Sequence, residues 1–203
     1  KILGEFGCQK FIYCSDADLG SESIREYNHM GERAYIVTQS IKKLKKEEKE
    51  WALDPQGFKK VSDDTPVDIT KLDSSDKGLY YKDEPYTTKK LHQRLIITYS
   101  PKYTAYQRTI RDKQVERAQK MLDSGNTKKN RKNPNDPARF IEKTAVTPEG
   151  EAADIKYSLD ENKITEETLY DGLYAVCTDL LDDNVANILK VSEGRWQIEE
   201  SRL

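Results

Sequence analysis

The chain has 203 residues, of which 35% are hydrophobic and 34% charged. That is enough for one good core or two small ones, with a large solvated or ligand-facing surface. Cys8, Cys14 and Cys177 form no C-x-x-C pair, which excludes a disulfide framework or zinc knuckle as the organising principle. No apolar run is long enough to span a bilayer and no signal-peptide pattern is present, so reduced thiols in a cytoplasmic protein are expected. The net charge of −2 conceals an asymmetry: residues 102–143 hold 12 Lys+Arg against 5 Asp+Glu, and the remainder holds 22 against 31. A polyanion partner for the first segment and an acidic, cation-binding remainder follow from that split.

In chain order, Ile2 to Gly7 reads as the end of a helix. Phe11-Ile12-Tyr13-Cys14 predicts a short buried strand that stops at two acids, Asp16 and Asp18. Gly20 and Ser21 then open a segment with helical spacing, Leu19, Ile24 and Tyr27, reaching His29. After Gly31 comes a second β-branched run, Ala34-Tyr35-Ile36-Val37-Thr38. Strand, helix and strand with short connections make a βαβ unit, so the two strands are expected to be parallel neighbours. Residues 41–51 are helical in pattern, with a charged face best read as solvated.

The texture changes at Asp54-Pro55-Gln56-Gly57. Turn clusters alternate with strand-like pieces, Leu79-Tyr80-Tyr81 and 94–99, which predicts an antiparallel β subdomain rich in tyrosine. Tyr106 to Leu122 reads as a long basic amphipathic helix with Ile110, Val115, Ala118 and Leu122 as its apolar positions. It stops at Ser124-Gly125, and 127–137 is a basic, turn-rich loop. Order resumes at Arg139-Phe140-Ile141. Ala153–Leu159 is strand-like, Asp160-Glu161-Asn162 a turn, and Leu173–Thr178 the third strong strand. The last helix is capped within Asp182-Asp183-Asn184 and runs through Val185, Ile188, Leu189 and Trp196.

Two carboxylates stand out. An acid at the carboxyl end of a strand in an open α/β sheet faces the crevice where ligands bind. Asp16 is therefore either a turn residue or a metal ligand. On the last helix, Val185, Leu189 and Trp196 share one stripe, and Ile188, Ser192, Arg195 and Glu199 line up beside it. Arg195 and Glu199 form either a surface pair or a phosphate-gripping arginine beside a Mg²⁺ ligand.

The run Tyr170-Asp171-Gly172-Leu173-Tyr174-Ala175-Val176-Cys177-Thr178, followed by Arg195-Trp196-Gln197-Ile198-Glu199-Glu200, resembles the carboxyl-terminal catalytic motif of bacterial insertion-sequence transposases. The likeness is to the DDE branch with a β-rich insertion before the last acid. Its helix motif is Tyr, two residues, Arg, three residues, Glu, six residues, Lys, and Arg195 and Glu199 match that spacing. Cys14-Ser15-Asp16-Ala17-Asp18-Leu19 resembles the second-aspartate motif, usually Asp-Ala-Gly-Leu. Asn133–Ile141 is similar to part of the insertion. Ser192 stands in place of the motif Tyr, Asp18 in place of the usual Gly, and Ser201-Arg202-Leu203 in place of the expected continuation.

The resemblance implies an α/β fold with a partial ribonuclease-H-like core, a βαβ unit plus the C-terminal helix, interrupted by a β-rich insertion with a long basic helix. Residues 1–51 and 170–203 would form the core and 52–169 the insertion. It implies DNA strand cleavage and transfer with two Mg²⁺ or Mn²⁺ ions held by Asp16 and Glu199 and a first Asp expected before Lys1. It also implies double-stranded DNA, both transposon ends and target, as partner, contacted by Arg195, Arg108, Arg111, Lys128, Lys129, Arg131 and Lys132. A homodimer of the full-length enzyme, at work on the bacterial nucleoid, belongs to the same expectation. With two of three acids and the motif Lys beyond Leu203, the chain is expected to be a fragment without activity of its own. The alternatives are a non-catalytic DNA-binding or regulatory remnant, and an α/β domain whose Asp16 and Glu199 are ordinary surface acids.

Overall fold

The computed structural model describes the backbone of residues 11–127, 135–146 and 154–200, with all of their side chains except those of 146, 154 and 194–200. The chain divides into two units, one formed by the residues up to Pro101 and from Gly172 onward, the other by Lys102–Asp171. The first unit supplies β1 (Phe11–Ser15), α1 (Glu22–Asn28), β2 (Arg33–Thr38), α2 (Lys46–Leu53), β3 (Lys59–Lys60), β4 (Tyr80–Thr87) and β5 (His92–Tyr99). Next come α3 (Pro101–Asp123), β6 (Ile141–Val146), β7 (Asp154–Leu159) and α4 (Glu161–Thr168). The chain closes with β8 (Leu173–Thr178) and α5 (Val185–Glu200).

β1, α1 and β2 make the expected βαβ unit, with Tyr13 opposite Tyr35 in a parallel pair. The mixed sheet runs β1-β2-β8-β5-β4-β3, and every pairing after the first is antiparallel. Period-two alternation sorts its side chains onto two faces. Ala34, Ile36, Ile96 and Val176 form one core with Val185, Ile188 and Leu189 of α5, and Ile12 and Cys14 pack against it. Tyr35, Val37 and Cys177 face the other way, joined by Tyr13 and Tyr86. Burying Ile36, Ile96 and Val176 at 0–1% exposure contributes roughly 1.5–3 kcal/mol per side chain.

Lys82 of β4 is buried and closes the end of α2: its Nζ donates to the carbonyl oxygens of Trp51 and Asp54, with that of Gln56 at 3.5 Å. The ammonium also lies 4.8 Å from the ring centroids of both Trp51 and Phe58. Beyond β8, the Asp179 carboxylate accepts from the Tyr35 backbone N–H (2.9 Å) and meets His29 Nδ1 (2.8 Å). Arg94 ties β5 to the same loop through the carbonyls of Leu181 and Asp183, and to β4 through Asp83.

The second unit is built on α3. Pro101 suits a first helical position, and Gly125, at φ 70°, ends the helix as its N–H and that of Asn126 return to Leu122 and Met121. Ala118, Ala138, Phe140 and Ile141 form its core with Val115, Leu122, Leu159 and Ile164. β6 and β7 pair as an antiparallel hairpin.

Several details differ from the sequence reading. β1 ends the strand order with Phe11 exposed rather than lying buried, and the helix expected over 41–51 is a 3₁₀ turn (Ile41–Lys43) followed by α2 from Lys46. The strands of 80–99 hydrogen-bond into the same sheet as β2 and β8, and the separate unit starts only at Lys102. Asp160 does not end in a turn; its side chain accepts from Lys163 N–H (2.9 Å) and caps α4. Ile110, placed by spacing on the packed face of α3, is 39% exposed.

Candidate functional site

Asp16 directly follows β1, where the strand ends and a single 3₁₀ turn (Ala17–Leu19) begins, and it is exposed. Gly20 closes that turn against β2. A Cβ there would lie 3.1 Å from Val37 Cβ and 3.3 Å from Asp16 O, so the close approach of the turn to the sheet depends on glycine.

Arg25 holds the arrangement from beneath. Its Nε donates to Gly20 O (2.8 Å), one Nη to Gln39 Oε1 (2.8 Å) and the other to Gln93 Oε1 (3.2 Å). One buried guanidinium thus joins the acid-bearing turn, the residue after β2 and the start of β5. Gln93 Oε1 also accepts from Tyr35 OH (2.8 Å) and Cys177 Sγ (3.1 Å). Burial pushes the Cys177 thiol up to about 12 and raises the Tyr35 phenol further, so both stay neutral donors. A thiol held in that state is a core group, not a nucleophile.

Asp18 is also exposed, with Lys43 Nζ at 4.0 Å across solvent. Among the described residues no three His, Cys, Asp or Glu side chains gather into a metal-binding group. The α5 helix starts at its cap Asn184, whose Oδ1 accepts from the N–H groups of Ala186 (2.8 Å) and Asn187 (3.4 Å). Ile188, which heads the row leading to Ser192, Arg195 and Glu199, is 1% exposed. The side chains of Arg195 and Glu199 lie outside the described residues, so the structure does not report their meeting with Asp16.

The basic segment divides similarly. Lys128, Lys129, Arg131 and Lys132 lie outside the described residues. Arg111 is buried, and its two terminal nitrogens bind Asp171 at 2.6 and 2.7 Å. An arginine so committed is a structural group rather than a phosphate contact. Arg108 also reaches Asp171, at 3.5 Å, but its side chain is 66% exposed. The buried roles of Arg25, Lys82 and Arg111 left no mark in sequence, where each is one charge among many.

Comparison with protein-family models, with curated proteins and with solved structures gives no match. No described helix is long and apolar enough to cross a membrane.

Proposed function

We propose that Asp16 and Glu199 are two carboxylates of a metal-dependent DNA strand-cleavage and transfer centre of the insertion-sequence transposase type. The observation that carries the reading is the placement of Asp16. It is an exposed acid at the carboxyl end of a parallel βαβ strand, on a turn fixed by a buried arginine. From Val185, packed in the core over β2 and β8, to Glu199 is about 21 Å of helix. That span is comparable to the roughly 20 Å of a six-residue strand such as β2. A helix that starts beside β8 and runs along β2 therefore has the reach to return to the Asp16 end of the sheet.

The donor chemistry fits a hard divalent ion, since both ligands are carboxylates. Ions bound there would lower the pKa of an attacking water or 3′-hydroxyl and stabilise the leaving oxygen. In this scheme Asp16 orients the ion-binding end of β1, Arg25 keeps the turn from moving, and Arg195 grips a phosphate.

The test is Mn²⁺ binding, read by electron paramagnetic resonance on the full chain. Asp16→Asn and Glu199→Gln should each weaken it about tenfold or more. Binding indifferent to both changes removes the centre. A second reading, a DNA-binding remnant without catalysis, is favoured by the excess of cations in 102–143. It expects duplex binding that weakens steeply with salt and ignores both acid substitutions.

A further inference from the structure

We propose that one flank of α3, carrying Lys102, Tyr103, Tyr106, Ile110, Lys113 and Arg117, binds single-stranded nucleic acid, with the cations on phosphates and Tyr106 stacked on an unpaired base. The proposal stands on the second unit alone and does not depend on the metal centre.

At 100° per residue these six positions fall within an arc of about 100°, and Lys120 joins them. No acid lies in that arc: Asp112, Glu116 and Asp123 of the same helix gather on the neighbouring arc of about 40°. The opposite side of the helix is the one that packs, through Thr104, Arg111 and Ala118, all buried. The cations and aromatics are thus segregated from the acids on a surface that the fold leaves open.

Lys120 is held by Glu116 at 2.6 Å, so the working cations are Lys102, Lys113 and Arg117, all exposed. Tyr106 is 60% exposed, Ile110 39% and Tyr103 37%. Tyr103 and Tyr106 lie stacked, ring centroids 6.2 Å apart and planes 16° from parallel. A pair of parallel rings at the surface is a preformed platform for a third flat group. An exposed aromatic pair beside a row of cations offers two kinds of surface, and a polyanion with accessible π-faces matches both.

The aromatic half of the flank decides between nucleic-acid forms. In a duplex the base faces are hidden by pairing and stacking, leaving the tyrosines without a partner. An unpaired strand offers both phosphates and base faces. Lys102 to Arg117 spans about 22 Å, room for the roughly four-nucleotide footprint at the short end of single-strand sites.

The experiment is fluorescence anisotropy of the full chain with labelled oligo-dT, its duplex with oligo-dA, and an abasic strand of the same length, all in EDTA. The single strand should bind at least about fivefold more tightly than either control. Tyr106→Ala should cost about tenfold on the single strand alone, while Tyr106→Phe keeps the affinity. Lys113→Gln with Arg117→Gln should lower the log–log salt slope by about 1.4. Because every substituted residue is exposed, circular dichroism should show unchanged helix content. Equal affinity for duplex and single strand, or an unchanged Tyr106→Ala, overturns the proposal. EDTA keeps the outcome separate from that of the metal centre, which is read by Mn²⁺ alone.

Discussion

Replacing Asp171 with alanine should destabilise the 102–171 unit by about 3–5 kcal/mol, because it strands a buried arginine without its counter-charge. The Asp171 and Arg111 side chains are only 7% and 10% exposed, and their two hydrogen bonds form a bidentate fork. Arg108→Ala should cost under about 1 kcal/mol, since that side chain is solvated and 3.5 Å away. Urea unfolding followed by hydrogen exchange, which reads each unit separately, supplies the measurement. The double change Arg111→Met with Asp171→Leu should recover most of the loss, because a buried pair exchanged for apolar groups of similar size is near neutral. A loss in Asp171→Ala no larger than that in Arg108→Ala would mean that the fork contributes nothing.

Lys82 should make the stability of the sheet unit rise with pH in a window where most proteins lose it. Burial pulls its ammonium from 10.5 down to about 8, against the opposing influence of Asp54 and Glu84. Between those two values the unfolded chain holds a proton that the folded chain has lost, so unfolding free energy increases with pH there. A change of that size corresponds to roughly 3 kcal/mol. Cys177 and Tyr81, both raised to about 12 by burial, act in the opposite sense once pH passes their unfolded values of 9.0 and 10.0. Those contributions are common to wild type and Lys82→Met and cancel in their difference. The stability gap between the two proteins should therefore move toward wild type by up to roughly 3 kcal/mol from pH 7.5 to 10.5. A gap that stays flat would place the Lys82 ammonium in contact with water.

The elements with the clearest periodicity were legible in sequence: β1, α1, β2, β8 and α5 stand where apolar spacing put them, although β1 is half-buried rather than buried, and α3 begins at Pro101, five residues before the expected Tyr106. β4 was only half legible. Lys82, Asp83, Glu84 and Pro85 do not look like a strand, yet Pro85 pairs with Arg94 while β3 covers only Tyr80 and Tyr81. Beyond that point β4 is the sheet edge, where proline and charge are tolerated. The joining of β5 to β8 across the whole second unit is a long-range pairing that no local pattern encodes. At the candidate site, Asp16 was visible because its strand announces it. Arg25 was not, since nothing in a helical turn containing Tyr27 shows that the arginine, at 9% exposure, is the inward residue and the tyrosine, at 60%, the outward one.

The chain leaves the sheet after Tyr99 and re-enters it at Leu173, and these two residues are paired neighbours. Ser100 N–H donates to Gly172 O (3.1 Å), closing the gap as the first rung beyond the strands. Everything between is, to the sheet, the tip of one hairpin. Such a tip imposes no requirement on what it carries beyond two ends that lie side by side. Arg111, midway along α3, clasps Asp171, the last residue of the unit, and ties the helix to the point where the unit ends. The segment therefore behaves as an exchangeable cassette. A two-residue turn in its place would leave every strand pairing of the sheet in register, and the cassette could be replaced by another with equally close ends without the sheet having to change a residue.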